Sequence, residues 1–307
     1  MLRMGEKDIT EKILESYNDV FADIVNVLLF NGEEIIHPDE LEDHTPRSAY
    51  KADGKIREME RDVSKHWKQG NIRIACVGLE NQTAPDPVMP LRVFGYDGAE
   101  YRSQLTRANR DKPNYPVVTL VLYFGTEKHW DEPLTLHEAL HVPEIFKPYV
   151  PDIKINLFEI AWLSRETVEK FKSDFRIVAD YFVQKQENGD YAARPDDLTH
   201  VQETLQLLHV MTGDYRFEEF LNDESEKGAV RNMCDVFDKY EQRGEQRGIK
   251  LGIQQGMQQG MQQGMQQANT ENIKKLMLKF GWSAIQAMDV LDIPVDDRKD
   301  YFSKLPQ

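Results

Sequence analysis

The stretch Arg61–Thr83, RDVSKHWKQGNIRIACVGLENQT, limits the fold more than any other part of the chain. Two β-prone runs flank a Gly-containing turn, which predicts a hairpin. Alternate side chains of a strand share a face, so Ile72, Ile74, Cys76, Gly78, Glu80 and Gln82 lie on one side. Glu80 and Gln82 are thus the polar end of an apolar strand. A three-residue turn at Gln69-Gly70-Asn71 sets Lys68 opposite Ile72 and Asp62 opposite Gly78. Asp62 then shares the Glu80 face, one diagonal step away, about 7–8 Å between Cα atoms. Gly78 between them leaves room for an ion. A turn of two or four residues flips Asp62 to the other face unless a bulge restores the count.

Two carboxylates at one strand end suit Mg²⁺ or Mn²⁺, hard ions that take oxygen ligands and keep several waters. Such an ion activates water and offsets charge developing on a phosphate. A solvated hairpin end, where Asp and Glu are common, is the competing reading.

Asp62, followed eighteen residues later by Glu80-Asn81-Gln82, resembles a PD-(D/E)-x-K nuclease core with Gln in the lysine place. The surroundings sharpen the likeness. Tyr17-Asn18-Asp19-Val20-Phe21, Met89-Pro90-Leu91-Arg92 with Tyr96, and Pro116-Val117-Val118 leading to Val121-Leu122-Tyr123-Phe124-Gly125 and Trp130 resemble the recombination-promoting nuclease (Rpn) family, also called transposase-like PD-(D/E)-x-K nucleases. The resemblance covers residues 10–160 and extends in style to a Gly-repeat tail. It implies an α/β, restriction-endonuclease-like core: a central mixed sheet flanked by helices. It implies a Mg²⁺-dependent endodeoxyribonuclease, with Mn²⁺ as a substitute ion, whose DNA cleavage promotes recombination. Asp62, Glu80 and Gln82 are then the catalytic residues. Asp62, Glu80 and the backbone carbonyl of Asn81 hold the metal, joined by Asp19 or Asp23 from the first helix. Arg92 and Tyr96, four apart on one helix face, flank the site and contact the substrate phosphate, unless the pair serves packing alone. Gln82 orients water or phosphate but lacks the positive charge of a lysine. A second reading is therefore a catalytically weak or inactive nuclease fold acting as a DNA-binding or oligomeric interaction module.

The net charge of −15 argues against a broad basic surface for DNA. The distribution is uneven, however. Residues 1–50 carry 4 basic and 12 acidic side chains, whereas residues 51–112 carry 12 basic and 9 acidic ones. The candidate site thus falls in the least acidic part of the chain. Cys76 and Cys234 are the only cysteines, so neither a disulfide framework nor a Cys-based zinc site is expected. The start has no signal pattern, and the longest apolar run, Ile24–Phe30, falls short of the ~20 residues that span a bilayer. A cytoplasmic protein without a membrane partner is the expectation.

In chain order, residues 10–30 predict a helix with Thr10 as N-cap and Ile13, Tyr17, Phe21, Ile24 and Leu28 on its apolar face. Asp19, Asp23 and Asn26 fall on the opposite stripe. Asn31–Lys55 reads as loop with short helical pieces, and His37 and His44 within it as exposed side chains. Lys65 sits at an odd offset from Asp62 and so faces away from it. Met89–Ala108 predicts a helix, Tyr115–Phe124 a strand buried on both faces, Leu136–Leu140 a short helix and Ile153–Phe158 another strand. Helices follow at Ser164–Gln186, Leu198–Met211 and Phe217–Tyr240.

Glycines then recur every four residues from Gly244 to Gly264. On a 3.6-residue helix that stripe drifts about 40° per repeat, and each interior Gly costs about 1 kcal/mol relative to Ala. Met257, Met261 and Met265 supply a parallel apolar stripe, which favours a self-associating helix, and hence a homo-oligomer, over a mobile linker. Three short helices, Glu271–Phe280, Ala284–Leu291 and Asp296–Lys304, close the chain, with Ser283 as an N-cap. The expected parts are a nuclease-like core at 1–160, a helical extension at 161–240, the Gly-repeat helix or linker at 241–268 and a small helical module at 269–307.

Overall fold

Helix α1 spans Asn18–Phe30 in a computed structural model that describes residues 14–44, 48–52, 55–59, 62–106, 112–221 and 230–305. Thr10 and Ile13 lie outside the described residues. Residues 14–16 are helical, but Tyr17 is extended (φ −70°, ψ 132°) and interrupts the run expected from residue 10. Val20, Phe21, Ile24, Val25 and Val27 are buried. Asn26 is buried with them rather than standing on the polar stripe. Its Nδ2 donates to the Ile36 carbonyl at 2.8 Å, and its Oδ1 accepts from the Ile35 and Ile36 N–H groups at 3.2 and 2.9 Å. One side chain thus completes the backbone of the next loop, which is why an amide tolerates the core. Asn26→Ala leaves those groups unsatisfied and is expected to cost about 2–3 kcal/mol, read as a lower urea midpoint at unchanged slope.

The segment expected to be loop holds more strand than its sequence predicts. Strand β1 is Leu41–Asp43, and β2 (Ser48–Ala52) pairs antiparallel with β3 (Lys55–Met59) as a separate two-stranded sheet. The hairpin follows as β4 (Val63–Gln69) and β5 (Ile72–Gln82). Its turn has two residues, not three, since Gln69 pairs with Ile72. Gly70 takes φ +62° at the first turn position, as a Gly-first hairpin turn requires. The register then shifts between Trp67 and Lys68, where Ile74 is extra on β5. Beyond that bulge Ser64 pairs with Gly78 and Val63 with Leu79, so the continued register sets Asp62 opposite Glu80 rather than Gly78. The bulge supplies the odd residue that the turn does not, and the two acids keep a common face.

Helix α2 (Met89–Gln104) crosses to β6 (Val117–Tyr123), which is parallel to β5; β7 (Asn156–Glu159) is parallel to β6. The five-stranded mixed sheet has the order β1-β4-β5-β6-β7. Six of the seven β6 residues are buried, as expected for a strand covered on both faces. On one face α2 packs Met89 and Val93 against Val121 and Ile155. On the other, Lys65 is buried with its Nζ 5.7 Å from the Phe21 ring of α1 and paired with Asp43.

The expected helix Ser164–Gln186 is two helices, Arg165–Val168 and α3 (Phe175–Asn188). The break is held by Asp23, whose Oδ2 accepts from the Lys172 and Ser173 N–H groups at 2.9 and 2.7 Å. Phe175 and Phe182 of α3 meet Phe124 at the end of β6, with ring centroids 6.4 and 5.1 Å apart. Helices α4 (Val201–Thr212) and α5 (Tyr215–Leu221) complete the helical part. The sheet and these helices lie in one compact unit, Met1–Phe237; a second unit is Asp238–Gln307.

Helix α6 spans Met233–Phe280 and carries the whole glycine repeat, so that segment is helical, and the expected helix at Glu271–Phe280 is its last part. Met257, Met261 and Met265 are exposed along it. Ile273 of α6 packs with Ala287 and Met288 of α7 (Ala284–Val290), Ile293, and Tyr301 of α8 (Arg298–Phe302). The Ser283 hydroxyl caps α7 by accepting from the Gln286 N–H at 3.3 Å. No helix among the described residues is long and apolar enough to cross a membrane.

Candidate functional site

One face of the sheet carries a polar track covered by α2. Four-residue spacing turns Arg92, Tyr96, Glu100 and Gln104 of α2 toward it. Arg92 pairs with Glu80, Glu100 meets His66 at 3.4 Å, and Gln104 bonds the Tyr115 backbone at 2.9 and 3.1 Å. Between these contacts the Asp97 carboxylate accepts from the Thr119 hydroxyl at 2.7 Å.

At one end of the track lie Asp62, Glu80, Arg92 and Tyr96. Asp62 sits one residue before β4, and its Oδ2 accepts from the Asn81 N–H at 2.7 Å. A carboxylate therefore takes up the β5 edge where β4 has ended. The N–H and C=O of one strand residue point to the same edge, so the Asn81 carbonyl faces the Asp62 side. Glu80 is 1% exposed and bonded to the Arg92 guanidinium. Arg92 also donates to Asp86 Oδ2 at 2.9 Å and to the Tyr96 hydroxyl at 3.4 Å. Burial works against the Arg92 charge, but Glu80, Tyr96 and Asp86 outweigh it and hold the guanidinium above its ordinary pKa. Burial raises the Tyr96 phenol, the charges of Glu80 and Asp62 raise it further, and Arg92 opposes them. Tyr96 thus senses both acids.

Gln82 is half-buried, shares the Glu80 face, and accepts from the Phe124 N–H through its backbone carbonyl at 2.8 Å. The first-helix acids lead elsewhere. Asp19 meets His200 at 3.0 Å, and Asp23 holds the Lys172-Ser173 backbone. Among the described residues before α1, Glu15 reaches the hairpin: it accepts from Asn81 Nδ2 at 2.7 Å on the opposite face from Glu80. Helical periodicity does not single out Glu15, because the break at Tyr17 shifts the helix phase.

At the other end of the track His44, His66, Cys76 and Glu100 each offer one ligand atom, all within 4.8 Å of one another, a group that could hold a metal ion. His44 Nε2 lies 2.7 Å from Glu100 Oε2, and the Tyr115 hydroxyl donates to Glu100 Oε1 at 2.7 Å. The His44 and His66 rings are 4.0 Å apart, and Ser64 Oγ is 3.3 Å from Cys76 Sγ. Burial alone raises the Glu100 carboxyl, but bonds from His44, His66 and Tyr115 outweigh it and hold the group well below the usual carboxylate range. Burial lowers His66, with Glu100 opposing. His44 is therefore a fixed partner of a buried acid, not an exposed loop residue, and the scarcity of cysteines does not exclude a mixed ligand set. Extending the Arg92–Tyr96 step by one more turn points to Glu100; nothing in the local sequence marks His44.

A family described as "Putative transposase, YhgA-like" matches residues 46–211, just over half of the chain, from β2 to α4. No curated protein and no solved structure matches. The matched span holds the hairpin, α2, the three parallel strands and the first two long helices of the helical part. The chain belongs to the YhgA-like transposase family.

Proposed function

We propose that the chain is a metal-dependent DNA endonuclease of the recombination-promoting type, built on a PD-(D/E)-x-K core. The observation that carries this reading is the placement of Asp62 and Glu80 on one face at one strand end, with the Asn81 carbonyl on the adjoining edge. Family membership supports a DNA substrate. The donors are all oxygen, which fits Mg²⁺ or Mn²⁺. Asp62, Glu80 and the Asn81 carbonyl would hold the ion. When bound, it supplies an activated water and offsets charge on the phosphate. Gln82, on the Glu80 face, orients the water or the phosphate through its amide. Arg92, tethered by Asp86 and Tyr96, is placed to move from Glu80 to a phosphate oxygen, where its fork binds two acceptors. Neither Asp19 nor Asp23 is needed. The exposed methionines of α6 favour self-association through the repeat segment, separate from the 1–160 core.

Two observations favour the second reading, a DNA-binding or interaction module on an inactive core. Arg92 occupies Glu80, and Gln82 is neutral. Relaxation of supercoiled plasmid in Mg²⁺, Mn²⁺ or EDTA separates the two. Cleavage is expected with either ion and not with EDTA. Gln82→Ala is expected to slow it about 100-fold without changing the metal concentration at half-maximal rate. No cleavage of plasmid, single-stranded DNA or RNA under either ion leaves the second reading.

A further inference from the structure

We infer that His44, His66, Cys76 and Glu100 form a closed structural site for a zinc-class ion, separate from the proposed hydrolytic centre. The donors are two imidazoles, one sulfur and one carboxylate. That set suits Zn²⁺, which takes nitrogen and sulfur in tetrahedral sites, and disfavours Mg²⁺. Zinc bond lengths place tetrahedral donor atoms about 3.3–3.6 Å apart. The widest spacing here, up to 4.8 Å, exceeds that edge by about 1.2–1.5 Å, so side-chain adjustment closes the set.

The surroundings look built for ligands. His66, Cys76 and Glu100 are buried, at 1%, 0% and 1% exposure. The Tyr115 hydroxyl orients Glu100, and the Ser64 hydroxyl is in reach of the Cys76 sulfur. Outer hydrogen bonds of this kind fix metal ligands in place. His66 Nδ1 is buried with no hydrogen-bond partner among the described residues. A buried imidazole nitrogen normally has a partner; a site ion supplies one, either to Nδ1 itself or by freeing the ring to turn. On binding, Cys76 gives up its thiol proton to solvent.

Four protein ligands leave no position for substrate, so the role is structural. The ligands come from four places: the end of β1, β4, β5 and α2. Cys76 and Glu80 are four residues apart on one strand face, about 13 Å, so this ion is not the hydrolytic one. It pins α2, the helix that carries Arg92 and Tyr96, onto the hairpin.

The test uses the full chain without DNA, so it stands or falls apart from cleavage. Metal-free protein is titrated with Co²⁺ and followed by absorption. One equivalent is expected to give a thiolate-to-cobalt band, displaced by Zn²⁺, and Zn²⁺ is expected to raise the unfolding temperature. Cys76→Ala abolishes the band while Cys234→Ala keeps it. Tyr115→Phe weakens Co²⁺ binding about 10–100-fold. Should Cys76→Ala not fold, His44→Ala, at a partly exposed position, must weaken Co²⁺ binding by at least the Tyr115→Phe factor. No binding, a spectrum without the sulfur band, or a band that survives in Cys76→Ala overturns the inference.

Discussion

Glu80→Gln and Asp62→Asn are each expected to reduce Mg²⁺-dependent plasmid nicking at least about 100-fold. Both exchanges keep size and one hydrogen-bonding oxygen, and replace the charge and the second oxygen by a neutral NH2 group. Glu80 is buried against Arg92, so glutamine still offers that guanidinium an acceptor and the fold is kept. The amide oxygen introduced by Asp62→Asn likewise still accepts from the Asn81 N–H. The rate must fall for want of a cation ligand, and a binding measurement checks that cause. A ligand at 100 times its Kd stabilises the folded state by about 2.7 kcal/mol. Mg²⁺ should therefore raise the unfolding temperature of the parent chain and not of either variant. Glu80→Ala and Asp62→Ala should behave alike in cleavage. Nicking that persists when either acid is replaced would remove Asp62 and Glu80 from the chemistry.

Much of this site is legible in the sequence, because two periodicities carry it. Period two puts Cys76, Gly78, Glu80 and Gln82 on one face of β5, and period four puts Arg92 and Tyr96 on one face of α2. The register is the weaker point. A two-residue turn with a bulge at Trp67 and a three-residue turn both leave Asp62 on the same face, and sequence cannot separate them, because Ile74 looks the same paired or extra. The β2–β3 pair is hidden by its charge, as the stretch KADGKIREME shows no alternation of apolar residues. Asn26 escapes the helical pattern because its burial depends on backbone groups ten residues on. The His44, His66, Cys76 and Glu100 group is illegible for a related reason. Its members lie on four elements, and only the register β1–β4–β5 and the docking of α2 bring them together.

The Arg92–Glu80 pair makes the second large prediction, because a guanidinium and a metal ion compete for one carboxylate. In EDTA, Arg92→Ala takes from buried Glu80 the guanidinium that bonds it. Breaking a buried pair from one side costs about 3–5 kcal/mol; Arg92 is 36% exposed, so water recovers part of it and about 2 kcal/mol is expected. For a unit of this size that lowers the unfolding temperature by roughly 4–8 °C. With saturating Mg²⁺ the deficit should shrink, since the ion replaces the lost charge. By the same competition the metal midpoint should move to roughly tenfold lower concentration, the equivalent of about 1.4 kcal/mol. Turnover should nevertheless fall, because the fork that would take the phosphate is gone. Arg92→Lys keeps the charge but not the fork, so it should hold stability in EDTA and still lose rate. If Arg92→Ala leaves both the EDTA unfolding temperature and the metal midpoint unchanged, Arg92 is not the occupant that a metal must displace, and Glu80 is then a packing acid rather than a ligand.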